Sequence, residues 1–200
     1  TYLVVNGRES VGYDSGIERL TVIGKAAQYD HDNILDYGGK VTLTHTDSNS
    51  TIDLQATGLR VVSPNVKIVS DLTAAHLIFN TSSVTADAMT ANTYFNIISS
   101  GQLNLSATSL RAANLTWTTA DNANANVSNS ITVTGNYNIT VDGVLNVVTP
   151  LVDATNMNWN VTHDIDLDAA VRSTGRWDID VAGTSHFHHR IDGHNMFWRA

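Results

Sequence analysis

The chain has 200 residues, a net charge of −8, no cysteine, and a charged fraction of 15%, well below the roughly 25% of ordinary globular domains. Between Lys67 and Arg172 the only Lys or Arg is Arg111, a balance that disfavours phosphate-bearing and anionic-lipid partners. Disulfides are excluded, no stretch approaches the ~20 apolar residues of a membrane-spanning helix, and the 42% apolar content excludes a disordered chain.

The opening Thr1-Tyr2-Leu3-Val4-Val5 lacks a methionine, which suggests a C-terminal piece of a longer protein. Residues 1–45 differ from the rest, holding six of the thirteen glycines and both glutamates, Glu9 and Glu18. Tyr2 to Val5, Glu18 to Ile23 and Lys40 to Thr44 read as strands, with the turn-rich Leu35-Asp36-Tyr37-Gly38-Gly39 between the last two. A small N-terminal β module, or the end of an upstream domain, is expected here.

Residues 46–184 form the expected shaft. Ile52-Asp53-Leu54, Val66-Lys67-Ile68, Leu103-Asn104-Leu105, Ile131-Thr132-Val133, Ile139-Thr140-Val141 and Ile179-Asp180-Val181 share one design. Two apolar residues flank a polar one, the period-two signature of a strand with one buried face. Asn, Ser, Asp and Gly separate these units and suit tight turns. Ile131, Val133, Ile139, Val141, Val147, Trp177, Ile179 and Val181 are all odd-numbered, which places them together on an inward face. The nearest approach to a helical turn, Asp168 to Val171, is short.

Val133-Thr134-Gly135 recurs as Val141-Asp142-Gly143, and further steps of eight pass through Gly175 to Val181-Ala182-Gly183. A unit this short cannot bury a core alone. Stacking along an axis, with sister chains wrapped around it, would bury the apolar pairs in a narrow continuous core and remove open sheet edges. Glycine would serve the corners where no side chain fits. The register is not kept over residues 50–130, so irregular winding is expected there. The expected fold is all-β, an intertwined trimeric β-helix or prism fibre with a small N-terminal module. A single-chain solenoid shows similar patterning.

Residues 185–200 form the expected tip. Four of the eight histidines fall between His186 and His194. Strand residues i and i+2 point the same way, so His186 and His188 can both face a three-fold axis. Six imidazoles from three chains suit octahedral iron(II), nickel or cobalt better than tetrahedral zinc. The odd-inward pattern opposes this, because it turns Phe187 and His189 inward unless Gly183 bends the strand. An exposed His-rich loop is the other reading. Ile191 to Ala200 reads either as a cap or as a strand packing Phe197 and Trp198 on the shaft.

These features resemble the central baseplate spike, or membrane-piercing needle, of contractile-tailed bacteriophages. The resemblance rests on two octapeptides of the form Val-x-Gly plus five residues, Val133 to Thr140 and Val141 to Val148, and on His186-Phe187-His188. It covers residues 125–200 by motif and 50–125 by composition. It implies a trimeric β-helix whose tip holds iron (Fe2+) on the three-fold axis through His186 and His188. It also implies attachment to other baseplate proteins through the part preceding the shaft, a virion location, and a mechanical role in piercing the host outer membrane. Tail-fibre tips, with Gly-x-His-x-His iron sites, are the close competitor. Gly183-Thr184-Ser185-His186 departs from that spacing by one residue.

No catalytic constellation stands out. Asp164, Asp166 and Asp168 lie on one strand face, and carboxylates so placed can serve glycosidases or calcium sites. Their alternation with Ile165 and Leu167 favours a solvated outer face. Trp117, Trp159 and Trp177 are too far apart in sequence to mark a sugar groove, so a polysaccharide-depolymerising tailspike ranks below a structural spike and a receptor-binding fibre tip.

Overall fold

Strands with one apolar face and no partner helix have one economical solution, which is to stack so that each covers the last. The structure is a computed structural model. It describes the backbone of residues 2–6, 10–14, 19–23, 34–35, 40–45, 52–62, 65–68 and 71–199, and the side chains of Val66, Ile68 and residues 71–199. Glu18 and residues 36–39 of the expected N-terminal module lie outside the described residues.

All described elements are strands. The first eight are β1 (Tyr2–Asn6), β2 (Ser10–Asp14), β3 (Arg19–Ile23), β4 (Ile34–Leu35), β5 (Lys40–His45), β6 (Ile52–Val62), β7 (Asn65–Ile68) and β8 (Leu72–Asn80). Then come β9 (Ser83–Ser99), β10 (Leu103–Thr119), β11 (Ala123–Val141), β12 (Leu145–Val161), β13 (Ile165–Val181), β14 (Ser185–Phe187) and β15 (Ile191–Arg199). Apart from the antiparallel β2–β3 pair, the pairings are parallel. The fold is a solenoid-like β-helix of about six turns. The N-terminal strands join the same sheet, β1 through β6 and β5 through β7.

The winding period is 20–22 residues, not eight. Leu103, Ala123, Leu145, Ile165 and Ser185 follow one another in register, at steps of 20, 22, 20 and 20. Gly135 and Gly143 lie within one strand and its exit turn, and Gly175 and Gly183 hold the matching places two turns later. Forty residues is both two turns and five eights, which is why the short period survives as arithmetic. Residues 83–130, expected to wind irregularly, keep the same period through β9 and β10.

The short strands expected from the sequence are parts of runs of 17–19 residues in β9 to β13. These runs pass the corners through register shifts, such as Asn126 to Ser130 against Val148 to Leu151, where an unpaired residue bends the strand. The odd-numbered residues expected inward are all buried. Past each shift the phase changes, so Val152 and Ala154 are buried at even positions. Each turn is covered by the next turn of the same chain. Exchange of strands between copies, as in the expected intertwined fibre, is therefore not what closes this core.

The largest side chains obey a second, two-turn rhythm. Two inward columns run Leu115, Tyr137, Met157, Trp177, Met196 and Trp117, Ile139, Trp159, Ile179, Trp198. The large ring changes column at every step. Successive strands are about 4.8 Å apart, so rings kept in one column would be forced into the disfavoured face-to-face sandwich. Alternation instead gives edge-to-face pairs: Trp117–Tyr137 at 5.3 Å, Tyr137–Trp159 at 5.7 Å and Trp159–Trp177 at 5.3 Å between centroids. Such pairs contribute about 0.5–1.5 kcal/mol beyond area burial. The three tryptophans that read as scattered are thus one stack. Its cost is polar, since Nε1 of all three and Oη of Tyr137 are buried without a hydrogen-bond partner.

Candidate functional site at the last turns

Strict alternation carries from β13 into β14. Phe187 turns inward against the core and meets Trp177 and Trp198 edge-on, at 6.4 and 5.0 Å. His186 and His188 therefore stand on the exposed outer face. Gly183 introduces no reversal, and neither histidine faces the axis of its own solenoid. Phe187 takes that place because a buried aromatic gains what a buried imidazole would lose by desolvation.

The outward carboxylates of β13 and its entry turn meet this segment one by one. The Asp164 carboxylate accepts the Thr184 N–H at 2.7 Å. Asp166 pairs with Nε2 of His188 at 2.7 Å, and Asp168 with Nε2 of His189 at 2.8 Å. All four partners of the two His–Asp pairs are more than half exposed, so each pair contributes about 0–1 kcal/mol. The three aspartates read as a solvated outer face are exposed as expected, and they also tie the last turn down. Elsewhere His76 stacks on Tyr94 at 4.4 Å, and His163 shares a hydrogen bond with the Thr162 hydroxyl at 3.0 Å.

The donor set of one chain does not fit the expected iron. Among the described residues no three His, Cys, Asp or Glu converge to hold a metal ion. His188 already spends Nε2 on Asp166.

The Asp164 bond belongs to a device that recurs four times and that motif reading missed. The side-chain oxygens of Asn114, Asn122, Asn156 and Asp164 accept the backbone N–H of Asn136, Val144, Arg176 and Thr184 on the following turn, at 3.1, 2.8, 3.0 and 2.7 Å. Each donor directly follows a glycine: Gly135, Gly143, Gly175 or Gly183. At Gly143 a Cβ would lie 2.7 Å from the Asn122 side-chain oxygen and 2.8 Å from its backbone nitrogen. The glycines are there because the clamp comes that close. The signal in the sequence is an Asn or Asp some 20 residues ahead of each Gly.

β15 forms the rest of the last turn on β13, as the strand reading of the tail expects. Its outer edge has no further strand among the described residues, and Met196, Phe197 and Trp198 are 40–51% exposed. Arg176 covers the Phe197 ring at 4.6 Å and pairs with Asp178. That pairing holds the Asp178 carboxyl below its usual range. The chain matches no protein-family model, no curated protein and no solved structure.

Proposed function

We propose that this chain is the shaft of a rigid spike, working by stiffness and not by turnover. The sequence resemblance makes the specific version a bacteriophage baseplate spike driven through the host outer membrane by tail contraction. The observation that supports a mechanical role most is the unbroken interior. From Phe79 and Phe95 to Trp198, every turn adds a large ring to the core, with a parallel ladder joining each turn to the next. A rod bonded section by section along its axis transmits load without a hinge.

Trimerisation and iron belong to the same proposal. Because the described core closes within one chain, three copies would lie side by side, each turning the exposed His186 and His188 toward a shared axis. His188 would have to leave Asp166 to bind. Other baseplate proteins would attach through the region before the shaft, and the setting would be the virion. Light scattering with metal analysis of tag-free protein tests this. A trimer with about one iron per three chains that loses both in the H186A/H188A variant supports it. A metal-free monomer at every concentration removes the trimeric spike.

A further inference from the structure

We infer that the shaft binds a neutral, extended polysaccharide in a trough along one outer face, an activity beyond the mechanical role and independent of it. The trough crosses the turns, parallel to the solenoid axis. Its first section, about 410 Å³, lies over the outward residues that follow each corner, among them Thr85, Ser106, Asn126 and Val148. A second section of about 310 Å³ shares Asn126 and Val148 with the first and continues past Pro150 to Asp168 and His189. Together they span the turns from β9 to the segment after β14, about 24 Å at 4.8 Å per step.

One wall is built by the register shifts. At Asn126 to Ser130, and again at Val148 to Leu151, the chain carries one residue more than the following turn. The excess stands out from the face as Ser128, Asn129 and Pro150. Opposite runs an amide ladder in which Asn124 donates to Asn104 at 3.1 Å and Asn146 donates to Asn124 at 2.8 Å. These bonds fix each amide plane and leave the second N–H of each Asn available.

The chemistry of the lining selects the ligand. No Lys, Arg, His, Asp or Glu lines the first section, so a charged ligand gains no counter-ion there. The charged pair of the second section, Asp168 and His189, is already mutually bonded. What remains is amide and hydroxyl groups repeating at the strand spacing, with Val148 as an exposed apolar floor. Sugar hydroxyls take both donors and acceptors, and a sugar C–H face suits Val148. A hexopyranose in an extended chain advances by a length close to one strand step. A peptide strand is less suited, because the ladders already pair the backbone of this face along the axis and leave it no edge to extend.

Calorimetry with cellohexaose, maltohexaose and chitohexaose, against hexagalacturonate and an extended Thr-Val peptide, tests the inference. Saturable binding of at least one neutral hexasaccharide is expected. Ser106→Trp and Asn126→Trp, both exposed, should weaken it about tenfold or more, while Asn158→Trp on another face should not. Circular dichroism confirms that each variant is folded. No response to any of the three neutral sugars overturns the proposal. So does equal affinity for hexagalacturonate, binding that survives both trough variants, or binding of the peptide alone.

Discussion

The middle of the shaft and its last turn carry the same residues in the same columns and do not share the same fate. Trp117, Trp159 and Trp198 occupy one inward column. The first two are at most 1% exposed and the third is 41% exposed. The difference lies in the neighbour. In a solenoid each residue is buried by the next turn, so burial belongs to the stack and stops where the stack stops. Stability should therefore fall toward the last turn although the residue pattern does not change.

Replacing the same residue at the two positions gives the largest test. Trp159→Ala should cost about 3–5 kcal/mol in urea unfolding, as a large buried aromatic lost to a cavity. Trp198→Ala should cost about 1–2 kcal/mol, in line with partial burial. Equal losses would break the comparison. A smaller contrast sits in the glycines. Gly143→Ala should cost about 1–3 kcal/mol, because the new methyl meets backbone atoms of Asp121 and Asn122 under 3.0 Å away. Gly193→Ala meets only the Met196 side chain, which is 40% exposed and can swing aside, so its thermal midpoint should barely move.

Tyr137→Phe sharpens the reading of the interior. The hydroxyl is buried without a partner, so its removal should stabilise the fold by about 1 kcal/mol. Burial raises the folded-state pKa well above the ordinary value near 10. The folded phenol thus keeps a proton that the unfolded chain releases. That contribution is complete below pH 10 and is lost as pH rises beyond it. The phenylalanine variant should show a shallower alkaline decline than the parent in a pH series of unfolding midpoints. The smallest effect is expected at the surface. Asp166→Asn, which weakens one exposed His–Asp pair, should cost less than about 1 kcal/mol and leave the aromatic near-ultraviolet signal unchanged. A large loss there would move the weight of the last turn from its core to its rim.

Much of the fold was legible because strand chemistry is local. Period-two triplets placed β10, β11 and β13, and odd numbering put Ile131, Val141 and Val181 inside. The same rule carried past Gly183 put Phe187 inside and His186 and His188 outside, against the axial site that the resemblance favoured. The period was hidden because turns of 20 and 22 residues alternate and bulges flip the parity at Val152. A glycine pair eight residues apart, repeated two turns later, supplied a false shorter rhythm. The aromatic stack was missed because consecutive rings lie some 20 residues apart and change column at each step. The clamps were missed because Asn114 and Gly135 mean nothing to each other until the winding is known.

The sequence by itself determined that this chain is all-β, which side chains of each strand seek the interior, and that no single turn could stand alone. Those follow from alternation and from apolar area, which are properties of neighbouring residues. Only the tertiary structure decided that the covering turn belongs to the same chain, that Trp117, Tyr137, Trp159 and Trp177 form one core, and that the register shifts raise a wall beside a row of amides. Each depends on which residues lie one turn apart, and that distance is set by how many residues every corner absorbs.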